Sequence, residues 1–455
     1  MLGPKLALAR AAGALARRAG RGGGTSLPGK LLVRLQPDAI GLLSGRLKGG
    51  SVVVSATNGK TTTAAMAASV LERTGTRLVH NRAGANMAGG VASALLDATR
   101  RGGGIAGDLG LFEVDEFWLG RVADELHPRA LLLSNLFRDQ LDRYGELETI
   151  ADRWADVVSG LAGRSDLVLC ADDPLVADLG RERPGVTYFG VEDDSLALPG
   201  LQHAADSKHC RRCGHAYAYD AAYLAHLGHY HCPSCGARRP APQVVAERVQ
   251  LRGVRDSRFT LSSPAGTAEV ELPLPGLYNV YNALAAAALC LTLGIELDEV
   301  VAGLNAVSAA FGRAEKVEIS GRPVSILLVK NPAGANEVLR TLALEEPGLD
   351  VLGILNDNIA DGRDISWVWD ADFELLAPRL RRMTCSGTRA AELALRLKYA
   401  GTDPGRLHVV EDDVAALEAA VGAGEGPLYV LPTYTAMLEL HELLARRGHA
   451  RPYWE

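Results

Sequence analysis

The stretch SVVVSATNGKTTT, residues 51–63, decides how this chain folds. Its β-branched start predicts a buried strand, and the alanine-rich segment Thr63–Leu71 predicts the helix that follows. Between them lie a glycine, a lysine and hydroxyl residues. In a phosphate-binding loop of this kind, backbone N–H groups meet phosphate oxygens, the lysine reaches the outer phosphates and a threonine hydroxyl binds Mg²⁺. The sequence therefore predicts a nucleotide site centred on Lys60 and Thr61. A chance Gly-Lys-Thr in a solvent loop is the alternative.

Composition limits the classes of protein. The 455 residues suffice for two or three domains, and a net charge of −6 with both signs mixed does not favour a nucleic-acid binder. The longest apolar run, Ala283–Leu293, is shorter than the roughly 18 residues of a membrane span and predicts a buried helix. Seven cysteines, four of them in Cys-x-x-Cys pairs, indicate a metal site in a reducing compartment. We therefore expect a cytoplasmic protein.

The first 37 residues are basic, with seven Lys or Arg and no acid. They lack the apolar core of a secretory signal. A basic helix rich in alanine and leucine is typical of a peripheral segment that lies on an anionic membrane surface. An amphipathic helix packed on its own domain is equally compatible with the pattern. Residues 22–29 then predict either a phosphate-sized loop or a glycine-rich linker.

Strands and helices alternate from residue 50 to about 180, which predicts an α/β fold with a parallel sheet. Such sheets bind ligands at the carboxyl ends of their strands. Three strands end there in polar residues, within Leu109–Glu116, Leu131–Leu136 and Leu167–Pro174. Glu113 is well placed to hold Mg²⁺, because carboxylate oxygens are ligands that this ion prefers. Taken singly, an acidic strand end is also typical of a solvated loop.

Two Cys-x₂-Cys pairs separated by 18 residues supply the thiolates of Cys210, Cys213, Cys232 and Cys235. A glycine after each pair permits a tight turn, and four thiolates satisfy tetrahedral Zn²⁺. A closed four-sulfur site is structural, because it leaves no position for water. Catalytic zinc and redox dithiols are the alternatives. Binding of nucleic acid is disfavoured, because residues 214–236 contain no Lys or Arg to contact phosphates.

A second α/β domain is predicted from about residue 318. Its successive units are Val324–Val329, Asn336–Ala343, Val351–Leu355 and Phe373–Leu380. Segment 356–370 contains four aspartates and two of the five tryptophans of the chain. An acid-rich loop is usually solvated. Exposed tryptophans are costly, however, so a partner surface or ligand cleft is an equal alternative.

These motifs resemble, in order and spacing, those of the Mur ligase superfamily, which makes amide bonds with ATP through acyl phosphates. The loop resembles the TNGKTT variant, with Val54 where the common pattern has glycine. The resemblance implies that Asn279 contacts adenine, that Asn282 caps or braces the helix beginning there, and that Arg313 meets the nucleotide at the junction with the C-terminal domain. The implied ATP-binding residues are Thr57, Asn58, Gly59, Lys60, Thr61, Thr62, Asn279 and Arg313.

The chain differs from the amino-acid-adding ligases of the superfamily at several positions. Gln140 stands where ligases that add amino acids usually have a metal-binding histidine, so a second Mg²⁺ is not expected. Lys330 replaces the histidine of a later His-Asn-Pro motif. Only about 50 residues precede the phosphate loop, where those ligases carry a domain for the UDP of their precursor. This favours a substrate that is no longer attached to UDP.

With the cysteine insert and the segment DGRDISW at 361–367, the chain resembles the MurT family. That family provides the ligase subunit of lipid II isoglutaminyl synthase, in a heterodimer with the glutaminase GatD. The resemblance implies that ammonia from the partner amidates the α-carboxylate of D-glutamate in lipid II. ATP and Mg²⁺ would serve as cofactors beside structural Zn²⁺, with Lys60, Thr61 and Glu113 in the ligase site.

In the MurT family the C-terminal domain also supplies an aspartate that completes the catalytic triad of the partner. We place this role at Asp364, beside Trp367, with Asp361 and Asp370 as alternatives, because a carboxylate can orient a histidine and stabilise its cation. The expected organisation is a basic extension at 1–49, a central ATP-binding domain at 50–314 with the insert at about 205–240, and a partner-contacting domain at 315–455.

Two other functions stay open. One is a ligase that adds an amino acid to a folate or peptidoglycan precursor, and the other is a non-catalytic scaffold that binds ATP and a partner. Gln140 and the short N-terminal segment weigh against the first. The intact Gly59-Lys60-Thr61 with Glu113 weighs against the second.

Overall fold

The computed structural model describes residues 2–18, 26–81, 85–100, 103–139, 147–161, 163, 165–307 and 313–449. The helices are α1 Leu2–Arg18, α2 Leu27–Leu35, α3 Ala39–Ser44, α4 Lys60–Arg73, α5 Ala88–Ala98, α6 Leu119–Leu126, α7 Leu147–Gly160, α8 Pro174–Asp178, α9 Leu277–Thr292, α10 Leu297–Asn305, α11 Pro332–Leu342, α12 Ala390–Tyr399, α13 Asp413–Gly422 and α14 Tyr434–Arg446. The strands are β1 Ser51–Ser55, β2 Leu78–His80, β3 Leu109–Glu113, β4 Ala130–Leu133, β5 Asp166–Cys170, β6 Val186–Val191, β7 Ala218–Leu224, β8 Leu227–His231, β9 Val244–Leu251, β10 Ser257–Ser263, β11 Gly266–Leu272, β12 Arg313–Ile319, β13 Arg322–Leu327, β14 Leu349–Ile354, β15 Leu380–Ser386, β16 Leu407–Val409 and β17 Leu428–Pro432.

The strand before the phosphate loop, β1, lies inside a nine-stranded sheet of order β11-β10-β9-β6-β5-β4-β1-β3-β2. It pairs in parallel with β3 on one side and β4 on the other, and all five of its residues are buried. A β-branched run suits this position, because strands of a parallel sheet are covered on both faces. The strands β1–β6 and β9 run parallel, and β10 and β11 follow β9 through antiparallel pairing at the edge. The predicted α/β class is confirmed.

Helix α9 lies beneath the phosphate loop and packs against α4, β5, β6 and β9. Its alanines Ala285–Ala288 are fully buried, and such small side chains let neighbouring elements approach closely. The sequence placed the start of this helix at Asn282, but it begins at Leu277, after Gly276 with φ +84°. Asn282 is therefore inside the helix and does not cap it. It braces the helix instead, since its Nδ2 donates to Asn279 Oδ1 at 3.1 Å and its Oδ1 accepts from Thr63 Oγ1 at 3.3 Å.

The basic N-terminal segment forms α1–α3, which pack on the central domain mainly through α2 against α5. Leu32 of α2 is buried there, and Leu6 and Ala9 are buried in α1, which packs mainly on α2. The helices touch closely at Gly29, where a Cβ would lie 1.9 Å from the carbonyl oxygen of Gly89. The packed arrangement expected for a basic amphipathic segment is thus present. Of the glycine-rich stretch 22–29, residues 22–25 lie outside the described residues.

The second predicted α/β unit is a six-stranded sheet of order β12-β13-β17-β14-β15-β16, parallel except for the β12–β13 pair. Predicted units at Val324, Asn336 and Val351 correspond to β13, α11 and β14. Phe373–Leu380 does not form one unit. It contains two short 3-10 turns, Phe373–Leu375 and Ala377–Arg379, and β15 starts at its end. In the described part of the chain, no helix is both long and apolar enough to cross a bilayer.

Candidate active site

The phosphate loop joins the carboxyl end of β1 to the first turn of α4, and Gly59 sits at that junction. Gly59 has a φ of +85°, a left-handed conformation that glycine adopts without strain. A Cβ at this position would lie 1.9 Å from Oδ1 of Asn282 in α9. Residue 59 must therefore be glycine for two independent reasons, one of conformation and one of space.

Asn135, at the carboxyl end of β4, holds the loop from the neighbouring strand. Its Oδ1 accepts from the backbone N–H of Asn58 at 2.9 Å, and its Nδ2 donates to the carbonyl oxygen of Asn58 at 3.0 Å. Its own carbonyl oxygen accepts from the N–H of Thr57 at 2.9 Å. The sequence analysis did not assign Asn135 a role, although its place at a strand end beside the loop was a usable signal.

Lys60 is buried at the mouth of the loop and forms an ion pair with Glu116, with 2.7 Å between Nζ and Oε2. It also donates to the carbonyl oxygens of Ala56 and, at 3.3 Å, of Thr57. Burial alone would lower the pKa of Lys60, but nearby carboxylates, above all Glu116, outweigh burial and raise it above its ordinary value. Lys60 is therefore a cation at neutral pH. Glu116 is a residue that the sequence analysis left unassigned.

Thr61 and Glu113 meet as the sequence expected. Thr61 Oγ1 donates to Glu113 Oε1 at 3.0 Å, which brings a hydroxyl and a carboxylate together at the sheet edge. Asn81 fixes the backbone of Glu113, since it accepts from the Glu113 N–H at 2.9 Å and donates to the carbonyl oxygen at 2.7 Å. Burial, followed by the charge of Glu116, raises the pKa of neighbouring Asp115. The oxygens of Thr61 and Glu113 fit a hard divalent cation.

The C-terminal domain touches the phosphate loop directly. Asn331 caps α11 by accepting from the N–H of Gly334 at 2.9 Å, and its Nδ2 donates to Asn58 Oδ1 at 2.9 Å. Lys330 pairs with Asp139 and donates to the carbonyl oxygen of Thr57 at 3.3 Å. Lys330, in place of the family histidine, thus supplies a cation to the loop. Gln140, next to Asp139, lies outside the described residues.

A cleft opens beside Gly59 between the two domains. Tyr278 and Tyr281 of α9 line it together with Leu224 and Leu227 of the β7–β8 hairpin and Val338 of α11. These walls suit a flat, apolar ring.

Not all of the predicted nucleotide contacts face this cleft. Thr62 and Asn58 line it with Gly59. The buried amide of Asn279 is used inside the protein, where it donates to the Pro275 carbonyl oxygen at 2.8 Å and accepts from Asn282 Nδ2 at 3.1 Å. Arg313 begins β12, but its side chain lies outside the described residues.

The four cysteines of the insert come together as predicted. One ligand atom from each lies within 4.8 Å of the others. Gly214 and Gly236 take positive φ values of +72° and +73°, and each donates its N–H to the carbonyl oxygen of the first cysteine of its pair. Two equivalent knuckles therefore aim four sulfurs at one point, as a tetrahedral metal requires. The cysteines of this cluster are Cys210, Cys213, Cys232 and Cys235.

The insert also connects the two domains. Arg138, just after β4, pairs with Asp206 of the insert and, at 3.2 Å, with Asp370 of the C-terminal domain. Arg340 of α11 donates to the carbonyl oxygen of Tyr223 at 2.7 Å. The insert that carries the four-cysteine cluster thus also contacts the C-terminal domain.

The three aspartates considered for the partner differ in their surroundings. Asp361 is buried and accepts from the N–H of Thr435 at 2.7 Å, and Asp370 is paired with Arg138. Asp364 is exposed, and its Oδ1 accepts from the N–H of Ser366 at 2.8 Å. Hydrogen bonds from Ser366 hold the pKa of Asp364 below its ordinary value. Asp364 is thus an ionised carboxylate on the surface.

Relatives of the chain cover nearly its full length. It is 32% identical over 434 residues to the subunit MurT of lipid II isoglutaminyl synthase (glutamine-hydrolyzing) from Streptococcus pneumoniae. The aligned region covers 94% of each of the two chains. The Staphylococcus aureus subunit of the same name is 32% identical over 95% of this chain and 96% of its own. The families described as Mur ligase middle domain and MurT ligase C-terminal match residues 54–216 and 328–437. The chain belongs to the MurT family.

Solved structures share the fold of this MurT family member. A pseudomurein peptide ligase type C from Methanothermus fervidus superposes with a TM-score of 0.66 at 22% identity, covering 88% of this chain and 79% of its own. A folylpolyglutamate synthase from Mycobacterium tuberculosis gives 0.63 at 17% identity, over 93% and 98%. The chain is a ligase of the Mur fold, and that fold implies ATP and Mg²⁺, for which Lys60, Thr61 and Glu113 are suitably arranged.

We expect Gly59→Ala to weaken binding of Mg-ATP about five- to 150-fold, because the methyl group would displace either the loop or Asn282, a perturbation of about 1–3 kcal/mol. The measurement is isothermal titration with Mg-ATP. Gly75→Ala is the matched control: Gly75 follows the same helix with φ +81°, and nothing lies within 4 Å of its Cβ position. Equal losses in both variants would show that backbone conformation, and not the contact with Asn282, controls the loop.

Proposed function

We propose that this chain is the ligase subunit of a glutamine-dependent enzyme that amidates the D-glutamate α-carboxylate of lipid II to D-isoglutamine. The observation that carries the proposal is the full-length match to subunits named for lipid II isoglutaminyl synthase. The phosphate loop with Lys60 and the Thr61–Glu113 pair supports a catalytic role over that of a scaffold.

The chemistry needs ATP to turn the carboxylate into an electrophile. A carboxylate oxygen attacks the γ-phosphorus and ADP leaves, which gives an acyl phosphate; ammonia then attacks the carbonyl carbon, loses a proton and expels phosphate. Lys60 and the loop N–H groups would hold the phosphates, and Thr61 and Glu113 would hold Mg²⁺. Lys330, which reaches Thr57 from the C-terminal domain, would add positive charge at the same loop.

The first test is ATP-dependent amidation of lipid II by this chain with ammonium and no partner, followed by mass spectrometry. We expect the mass to fall by the difference between a hydroxyl and an amino group. Lys60→Met should lower the rate by about 10²–10³-fold, because a charge that stabilises the phosphoryl group is lost. Arg77→Met is a suitable control, since Arg77 pairs with Asp108 on the surface.

The outcome separates the competing functions. Product formation with a free amino acid in place of ammonia would indicate an amino-acid-adding ligase. Amidation that persists in Lys60→Met would indicate a scaffold whose activity resides elsewhere. Absence of product in the presence of bound ATP, even with a glutaminase supplied, would contradict the proposal.

We propose further that the cysteine cluster holds structural zinc. Two knuckles with four converging sulfurs support this ion, and a full set of thiolates leaves no site for a reacting water. The β7–β8 hairpin, which connects the two knuckles, also lines the interdomain cleft through Leu224 and Leu227. Zinc would therefore stabilise a wall of the cleft without taking part in the reaction.

Purified protein should contain one zinc ion per chain by elemental analysis, and Cys232→Ser should lose it, because one of four thiolates is missing. Cys290→Ser is the control, since Cys290 is buried in α9 away from the cluster. Full zinc content in Cys232→Ser would contradict the assignment. Retained amidation after zinc removal would show that the cleft wall keeps its position without the ion.

The partner would be a GatD-like glutaminase that docks on the C-terminal domain. Trp369, 51% exposed, stacks edge-on against Tyr399, 72% exposed, with 5.8 Å between ring centroids. Large aromatic side chains on a surface are typical of protein interfaces. Asp364 lies exposed in the same segment as Trp369, which supports its proposed role at the histidine of the partner.

Asp364→Asn should abolish amidation driven by glutamine while leaving amidation driven by ammonium unchanged, because only glutamine hydrolysis needs the partner triad. A loss of about 10³–10⁴-fold is the scale seen when a triad carboxylate is neutralised. Asp370→Asn and Asp361→Asn test the two alternatives in the same assay. Equal loss with ammonium and glutamine would place the residue in the ligase reaction, against the proposal.

A further inference from the structure

The outward face of α1 has no polar side chain among residues 2–15, whose side chains the structure describes. Its exposed positions fall on one arc of the helix and are Gly3, Pro4, Ala7, Leu8, Ala11, Ala14 and Leu15. Leu8 is 54% exposed and Leu15 is 65% exposed. A helix that packs on a domain normally turns charged and polar residues outward. Here both the packed face and the outward face are apolar.

Lys5 and Arg10 are the charged residues of α1 whose side chains the structure describes, and both lie at the borders of this arc and bind to the protein. Lys5 donates to Gln36 Oε1 at 2.7 Å, and Arg10 donates to the carbonyl oxygen of Leu96 at 2.9 Å. The cations therefore do not screen the outward leucines from solvent.

The adjacent helix α2 adds both apolar and basic groups. Leu27, Lys30 and Arg34 are exposed and share one face through i, i+3 and i+7 spacing. The first 37 residues contain no acid, so nothing in this segment neutralises the two cations. The exposed surface of α1 and α2 thus combines leucines with positive charge, and we call it the N-terminal face.

We propose that the N-terminal face docks on the anionic surface of a lipid bilayer. Leu8 and Leu15 would enter the boundary of the acyl chains, and Lys30 and Arg34 would meet the phosphates of the headgroups. An anionic bilayer matches both features at once, because apolar burial and the attraction of basic residues to anionic headgroups add in binding to such surfaces.

The position of α2 links the membrane-docking face to the proposed reaction site. This part of the inference rests on the proposed function, in which the substrate is lipid-linked. Lys30 packs at the start of α5, where a Cβ on Gly89 would lie 2.7 Å from the Lys30 Cγ. Just before α5, the carbonyl oxygen of Ala85 accepts from Asn81 at 2.8 Å, and Asn81 also holds the backbone of Glu113. The N-terminal face is therefore joined by consecutive contacts to the edge of the sheet where the reaction would occur.

Co-sedimentation of the full chain with phosphatidylglycerol–phosphatidylcholine vesicles tests the proposal. We expect Leu8→Glu to weaken vesicle binding about tenfold or more, because burial of one leucine is lost and a charge is added. Leu344→Glu is the matched control: Leu344 is also 54% exposed but follows α11 in the C-terminal domain. Arg34→Glu should weaken binding to anionic vesicles, and binding should fall with salt.

Three results would overturn the proposal: absence of binding by the unmodified chain, equal binding by Leu8→Glu and the unmodified chain, or equal binding to pure phosphatidylcholine. If Leu8→Glu loses binding to the glutaminase partner but keeps binding to vesicles, the N-terminal face is a protein interface and not a membrane-docking surface. Amidation of a water-soluble stem peptide separates this inference from the proposed function. Leu8→Glu should keep that activity, whereas a chain that amidates nothing would refute the function and leave the vesicle result standing.

Discussion

The side chain of Asn282 occupies the space that a Cβ of residue 59 would need, so α9 and the phosphate loop can lie together only when that residue is glycine. The approach also depends on α9 itself, whose buried alanines let it settle against α4 and the sheet. Once α9 is seated, Tyr278 and Tyr281 become the wall of the cleft beside the loop. The close contact between Gly59 and Asn282 thus determines the conformation of the loop, the position of α9 and the shape of the binding cleft.

Charge is the second constraint on this site. Lys60 is buried among Glu113, Asp115 and Glu116, and its ion pair with Glu116 offsets only one of the three carboxylates. Breaking such a buried pair costs about 3–5 kcal/mol, because the remaining charge is left uncompensated. Burial, followed by the negative charge of Glu116, raises the pKa of Asp115 above its ordinary value. A divalent cation at the Thr61–Glu113 pair would offset the remaining negative charge of these carboxylates. The charge of the site and the geometry of its oxygens therefore both favour a divalent cation there.

Local patterns predicted much of this architecture, and long-range contacts account for what the sequence analysis missed. The strand, loop and helix at 51–73 and the cysteine knuckles were predictable because the residues that define them are close in sequence. Asn135 and Asn331, which hold Asn58 from two directions, are 77 and 273 residues away from it. Their single asparagines carry no periodic signal. The start of α9 was misplaced for a related reason: tertiary packing, and not the motif around Asn282, decides that the helix begins at Leu277.

The cysteine insert shows how a locally defined element acquires a role through distant contacts. Its sulfurs specify two knuckles, yet its hairpin contributes Leu224 and Leu227 to the cleft, and its backbone receives a hydrogen bond from Arg340. Arg138 joins the insert to the segment that carries Asp364, through Asp206 and Asp370. Since the cleft has walls from the central sheet, the insert and the C-terminal domain, a displacement of any one of them must change the cleft. The proposed metal at the insert and the proposed partner at the C-terminal domain would therefore both act on the geometry in which ATP is held.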